Sequence, residues 1–504
     1  MRRLLTSMVA VLAMGAGARA EGDDAFARIG EINRASLVMT VETGIVPRSL
    51  GRTIAQALDT VQANAAKPHA SRPDDYLRIE PLITAIAGPD ATRMHAGRSR
   101  QDIIPTVLKL EQRDRLLDFA AALDDARASL LAVAEREAAT VIPAYTNGVQ
   151  AQPTTLGHYL LGYAAAMARA SDRLHEAWAR VNRSPLGAAA LGTSSFPVDR
   201  MRLAALLGFD APVENSYDSG QLAPMDLGLE LTGLAANLAT TAGSFSQDLY
   251  AQYHQTRPWI LLREGALTGP SSIMPQKRNP VAIYTLRMKA SDVVGGAMAF
   301  TVMAHNVDSG MPDYKRNQMI PPARTLAVAA EMCRRWVSVL DGLVVDRERA
   351  ADEVAADYST TTELADTLQR EADVPFRLGH HFASELVTYG RSHNLRPADL
   401  PFDAVKRIYA EAAVGAGLPQ DMPKELPKEL PLTEARFREA LSATGMIAAA
   451  KGFGGPQPAE VARMLGVAKD KLAADRAWLS AKREGLATAQ AGLDAAFAGL
   501  TAAP

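Results

Sequence analysis

The chain has 504 residues, with 54 Lys and Arg against 56 Asp and Glu, and a single cysteine. That length leaves room for about three domains, and a net charge of −2 gives no electrostatic reason to invoke nucleic acid or an anionic membrane as a partner. Cys333 alone cannot form an intrachain disulfide, so stability must come from the core and from subunit contacts.

The first residues are Arg2 and Arg3, an apolar run from Leu4 to about Gly15, then Ala18, Arg19 and Ala20 ahead of the acidic Glu21, Asp23 and Asp24. This order predicts a secretory signal peptide over residues 1–20, cut after Ala20, and a periplasmic or secreted mature protein. The apolar run is shorter than the roughly 18 residues a spanning helix requires, so no membrane partner is expected after cleavage.

Beyond it the pattern is helical throughout, with long Ala- and Leu-rich stretches and no sustained period-two alternation, which predicts an all-α fold. Helices are expected from Asp114 to Ala139, Leu156 to Val181 and Pro280 to His305, separated by segments bearing Pro or Gly. Leu227, Leu231, Leu234, Leu238, Phe245 and Leu249 line one apolar stripe, read as core. Gly228, Gly233 and Gly243 each weaken an isolated helix by up to about 1 kcal/mol, which makes sense where helices cross closely. Between two helical regions lies the polar, proline-bounded loop Ser271 Ser272 Ile273 Met274 Pro275 Gln276 Lys277 Arg278 Asn279 Pro280. Its hydroxyls, lysine and asparagine can present a base, a cation and an amide donor to one small anion. Further on, Pro423 Lys424 Glu425 Leu426 repeats as Pro427 Lys428 Glu429 Leu430 before Pro431, and prolines so spaced predict a loop. Residues 460–497 read as one or two solvated helices with no assigned chemistry. No metal or nucleotide motif is present, so no cofactor is expected.

The 271–280 loop resembles the SSxMPxKxNP loop of the fumarase/aspartase superfamily. Other segments, in the same order, resemble its argininosuccinate lyase branch. Met94 to Asp102 is similar to the branch's HTGRSRND segment, and Tyr145 to Pro153, continued by Gly157 and His158, to its YTHLQRAQP segment. Pro185 Leu186 Gly187, Phe196 to Arg200, Val374 to Arg377 with His380, and Gly454 Gly455 before Pro458 extend the match along the chain.

The resemblance implies three helical domains, here 21–113, 114–385 with a central long-helix bundle, and 386–504. It also implies a homotetramer whose active sites are shared between subunits. The implied reaction removes a proton beside a carboxylate, stores the charge as an aci-carboxylate, and releases fumarate by breaking a C–N bond. Ser271 matches the family's catalytic serine base, and Lys277 and Asn279 its stabilisers of developing charge. Arg100 and Gln101 match the holders of the substrate carboxylates, a task suited to an arginine fork. Thr146, Asn147, Gln152, Ser272, Met274 and Tyr314 complete the expected substrate contacts. Arg98 and Asp102 are open between a structural ion pair and a ligand contact. His158 and His380 fall at positions that are more often structural.

Two departures separate this chain from the branch. Asn147 stands where the family has a histidine that helps move a proton to the departing amine, and asparagine cannot be a general acid. Either the amine departs already protonated or another residue such as His95 serves. Around Tyr314 the family's acidic run is replaced by Met319, Ile320, Pro321 and Pro322, and its Leu-Gln pair after position 147 is replaced by Gly148 and Val149. The fumarate half of the site is kept while the amine half is rewritten, which points to an N-substituted aspartate or aminopolycarboxylate. Argininosuccinate itself remains an alternative, as does a non-catalytic tetrameric scaffold.

Overall fold

The computed structural model describes residues 24–305, 307–309, 320–414 and 427–502. Its principal helices are α1 (Ala25–Glu42), α2 (Arg48–Ala65), α3 (Tyr76–Ala87), α4 (Arg100–Arg136), α5 (Leu156–Val181), α6 (Ala223–Gln252), α7 (Val281–Ala304), α8 (Ile320–Asp341), α9 (Thr361–Ala372), α10 (Phe376–Ser392), α11 (Phe402–Val414) and α12 (Pro458–Thr501). The fold is all-α, in three helical units with separate cores.

In the central unit, α4, α5, α6, α7 and α8 pack against one another. Their shared core includes Leu123, Leu130, Met167, Leu174, Leu238, Phe245 and Trp336. The stripe read from the sequence faces it: Leu231, Leu238 and Phe245 are at most 1% exposed. Helix α4 joins this core to the N-terminal one, because Ile103 and Leu110 belong to the N-terminal cluster and Leu116 onward to the central one. A third cluster gathers Leu364, Phe382, Leu386, Tyr409 and Phe437.

The structure corrects four expectations. The helix expected from Asp114 to Ala139 starts well before Asp114, at Arg100, and ends at Arg136. Of the three glycines in α6, only Gly228 marks a close crossing within the chain: a Cβ there would lie 2.7 Å from the Phe300 ring and 3.0 Å from Pro322. Among the described residues nothing lies within 4 Å of a Cβ built on Gly233 or Gly243. Residues 460–497 form part of one helix of 44 residues, α12, solvated along much of its surface as expected but also built into two cores. It buries Leu465, Leu472 and Leu479 in the central core and Leu493, Phe497 and Leu500 in the N-terminal one. Finally, a β-hairpin interrupts the helices: β1 (Val141–Thr146) pairs antiparallel with β2 (Val149–Thr155). The second proline-bounded repeat, from Pro427, lies in a loop as expected, and residues 423–426 lie outside the described residues.

Helix α12 is tied down by charge as well as by apolar packing. Arg127 of α4 reaches Asp475 of α12 at 2.5 Å and Asp124 at 3.3 Å, with both Arg127 and Asp475 only 2% exposed. Lys471 approaches the other Asp475 oxygen at 2.6 Å. Removing one partner strands a buried charge, so Arg127→Ala is expected to destabilise the fold by about 3–5 kcal/mol. In chemical denaturation, Asp475→Ala should lower the midpoint similarly, and the double variant by less than the sum.

Candidate active site

The 271–280 loop is closed at its base by two strands, β3 (Gly269–Pro270) and β4 (Arg278–Asn279), with Gly269 opposite Asn279 and Pro270 opposite Arg278. Inside it the Ser271 Oγ accepts the N–H groups of Ile273 at 3.3 Å and Met274 at 3.1 Å. The Lys277 N–H donates to the Met274 carbonyl at 3.1 Å, tightening the turn. Arg278 braces the loop by donating to the Pro275 carbonyl at 2.8 Å and to Glu264 at 3.0 Å. The Asn279 amide reaches the Pro270 carbonyl at 3.5 Å. Backbone and Arg278 therefore hold the shape, while Ser272, Met274 and Lys277 are exposed. Donors aimed at a hydroxyl oxygen favour its alkoxide.

The segment around Arg100 is built on a helix start. Ser99 caps α4 in a capping box with Asp102, whose Oδ1 accepts the Ser99 N–H at 2.9 Å. The other Asp102 oxygen accepts the N–H groups of Gly187 and Ala189 at 2.9 and 3.0 Å, anchoring a distant loop. Burial pushes the Asp102 carboxyl up to about 6, against these backbone donors and Arg98. Arg98, 6% exposed, donates to Asn33 at 2.7 Å and covers the Tyr76 ring at 4.8 Å. Both residues thus brace the fold, each through its own partners rather than as an ion pair. Arg100 comes next, its Nη2 lying 2.8 Å from Asp75, and Gln101 donates its N–H to Ser99. Arg100 opens on a cleft of about 350 Å³ whose polar wall carries Arg28, Arg115, Arg324, Asp74 and Glu111.

Thr146 and Asn147 lie at the hairpin tip. Asn147 and Gly148 have φ of +52° and +78°, so Thr146 meets Val149 across a two-residue turn with both central residues left-handed. Asn-Gly is the favoured dipeptide for that turn. That signal stands in the sequence, and a search for period-two alternation misses it. Thr146, Asn147 and Gln152 are exposed, whereas Gln150 fastens the hairpin to Val354 at 3.2 Å and Ser359 at 2.9 Å. His158 is a pin, between the Thr154 hydroxyl and the Gly454 carbonyl, each at 2.9 Å. His380 is exposed on α10. Tyr314 lies outside the described residues.

The structure gathers Ser271, Ser272, Met274, Lys277 and Asn279 in one loop, Arg100 and Gln101 at one helix end, and Thr146, Asn147 and Gln152 on one hairpin. Among the described residues no hydrogen bond or ion pair joins these three groups. Helix α4 separates two of them, since its 37 residues span about 55 Å. The ten residues from Arg136 to Thr146 reach back at most about 35 Å, leaving Arg100 and Thr146 at least roughly 20 Å apart in one chain. The described residues contain no His, Cys, Asp and Glu grouping able to hold a metal ion, and no described helix is long and apolar enough to cross a membrane.

Residues 53–295 match a family model described as "Lyase", and residues 358–448 one described as "Argininosuccinate lyase C-terminal". The chain is 34% identical over 403 residues to the argininosuccinate lyase of Methanoculleus marisnigri, covering 79% of this chain and 76% of the relative. It is 33% identical over 473 residues to argininosuccinate lyase 2 of Agrobacterium fabrum, covering 92% and 89%. Among solved structures, an EDDS lyase variant with bound fumarate superposes with a TM-score of 0.83 at 28% identity, covering 95% of this chain and 92% of that one.

The site bears on stability through His95. Its ring stacks on Tyr76 with centroids 4.5 Å apart, and burial together with Arg98 lowers its pKa to about 4. The folded chain therefore favours the neutral imidazole at pH 7. The unfolded chain takes up that proton below about pH 6.5. Stability from this group is thus lost as the pH falls from about 6.5 towards 4, and thermal melting of His95→Asn should show a shallower acid loss than wild type. Asp102, raised to about 6, acts in the opposite direction, losing stability as the pH rises, so the difference between the two proteins isolates His95.

Proposed function

The chain belongs to the argininosuccinate lyase branch of the fumarase/aspartase superfamily and is a carbon–nitrogen lyase; on that premise we propose that it splits an N-substituted aspartate or aminopolycarboxylate into fumarate and an amine. The observation that carries this reading is the Ser271 hydroxyl, which collects two backbone N–H groups inside a closed loop that also presents Lys277 and Asn279.

Those donors and the Lys277 charge favour the Ser271 alkoxide, which takes the proton from the carbon beside the retained carboxylate. The electron pair moves onto that carboxylate, and Lys277 and Asn279 meet the developing charge. The aci-carboxylate then collapses, forming the fumarate double bond as the C–N bond breaks and its electron pair leaves with the amine. Arg100 and Gln101 hold the substrate carboxylates. Asn147, an exposed turn amide, has no proton to give at neutral pH, so the amine departs already protonated. Thr146, Gln152, Ser272 and Met274 line the substrate, with Tyr314 as a contact read from sequence.

Because at least roughly 20 Å separates Arg100 from Thr146 in one chain, a complete site needs segments from more than one subunit, and a homotetramer with shared sites is the assembly proposed. Export as a periplasmic or secreted protein is proposed from the charged, apolar and small-residue order of residues 1–20. An exported enzyme would meet aminopolycarboxylates more readily than argininosuccinate. Argininosuccinate is the second reading, favoured by the identity of 33–34% to argininosuccinate lyases.

The test is ultraviolet detection of fumarate from mature protein offered argininosuccinate and a panel of N-substituted aspartates. Ser271→Ala is expected to lower fumarate release by at least about 10³-fold, with molecular mass in solution unchanged because the side chain is not in the core. Release from argininosuccinate alone would move the assignment to the second reading. No release from any compound by an intact tetramer would favour a scaffold without catalysis.

A further inference from the structure

We propose that Asp75 is a positioning residue that holds Arg100 by one nitrogen and leaves the rest of its fork to the dicarboxylate. This rests on the reading of Arg100 as the carboxylate holder. Asp75 is the N-cap of α3, where its Oδ1 accepts the Leu77 N–H at 2.9 Å. The second oxygen, Oδ2, lies 2.8 Å from the Arg100 Nη2. One carboxylate therefore spans two helix starts, since Arg100 is the first residue of α4. Capping fixes where the first oxygen sits, and so where the second must be.

The pair lies at the edge of the cleft: the Asp75 side chain is 12% exposed and that of Arg100 33%. Among the described residues Asp75 is the only ion-pair partner of Arg100, and the Arg100 Nε is buried with no hydrogen-bond partner. The Asp75 contact is therefore through Nη2. A carboxylate competing for the site would take the fork in a bidentate grip, whereas one that touches a single nitrogen restrains the arginine and leaves donors over. An arginine restrained before the ligand arrives loses less side-chain freedom when it binds. Such supporting partners typically alter affinity or activity by ten- to a hundredfold.

The experiment is calorimetric titration of fumarate into the full assembled protein, comparing wild type, Asp75→Asn, Asp75→Ser and Arg100→Ala, with melting temperature and steady-state kinetics alongside. Asn and Ser both cap helices, so each variant removes the charge and keeps the cap, and two of them guard against a fold defect peculiar to one. The expected result is fumarate affinity weakened about tenfold or more in both Asp75 variants, with KM raised in step, kcat little changed and melting near wild type. Tighter fumarate binding in the Asp75 variants would make Asp75 a competitor and overturn the proposal. Unchanged affinity in those variants, with Arg100→Ala impaired, overturns it while leaving the reading of Arg100 intact. Unchanged affinity in Arg100→Ala overturns that reading itself.

Discussion

The length and rigidity of α4 constrain the rest of the structure. Its first residue is Arg100, its N-terminal turns pack into one core and its remainder into another, and five residues past its end the chain enters β1. A helix of this length is one stiff body about 55 Å long. It holds the arginine and the hairpin tip apart, as an ordinary loop would not. The buried Arg127–Asp475 contact clamps α12 along the same helix, so the separation is built into the packing of the chain.

Two polar side chains near the candidate site use one device with different results. Asp102 collects three backbone N–H groups at 0% exposure, and burial still drives its carboxyl up to about 6. Desolvation outweighs the donors there, and the residue serves to join a helix start to a loop. Ser271 collects two such donors on an accessible loop, where its oxygen can still meet a ligand. Surroundings, more than the donors themselves, divide a buried brace from an oxygen left accessible.

Much of the fold could be read before any coordinates. The helix expected from Leu156 to Val181 is observed with those bounds, and the one expected from Pro280 to His305 with one residue fewer at each end. Alanine- and leucine-rich helical periodicity is a local signal that survives folding. The hairpin was the main miss, because its strands lack alternation and its signal sits in two residues, Asn147 and Gly148. Asn147 replaces a proton carrier in the family pattern, and its backbone supplies another account of the residue: a left-handed position that asparagine tolerates well. Gly233 and Gly243 show the opposite case, since among the described residues of one chain nothing crosses closely there.

By itself the sequence determined the all-α class, the family and the grouping of Ser271, Lys277 and Asn279 in one loop, because each depends on short stretches of neighbouring residues. Only the tertiary structure decided which member of the Arg98–Arg100 pair is buried against Asn33 and which faces a cleft beside Asp75. It alone revealed that α12 packs on two cores, and that Arg100 and Thr146 cannot meet in one chain. These depend on how far rigid helices carry residues from one another and on which atoms lose water, and neither quantity is present in residue order.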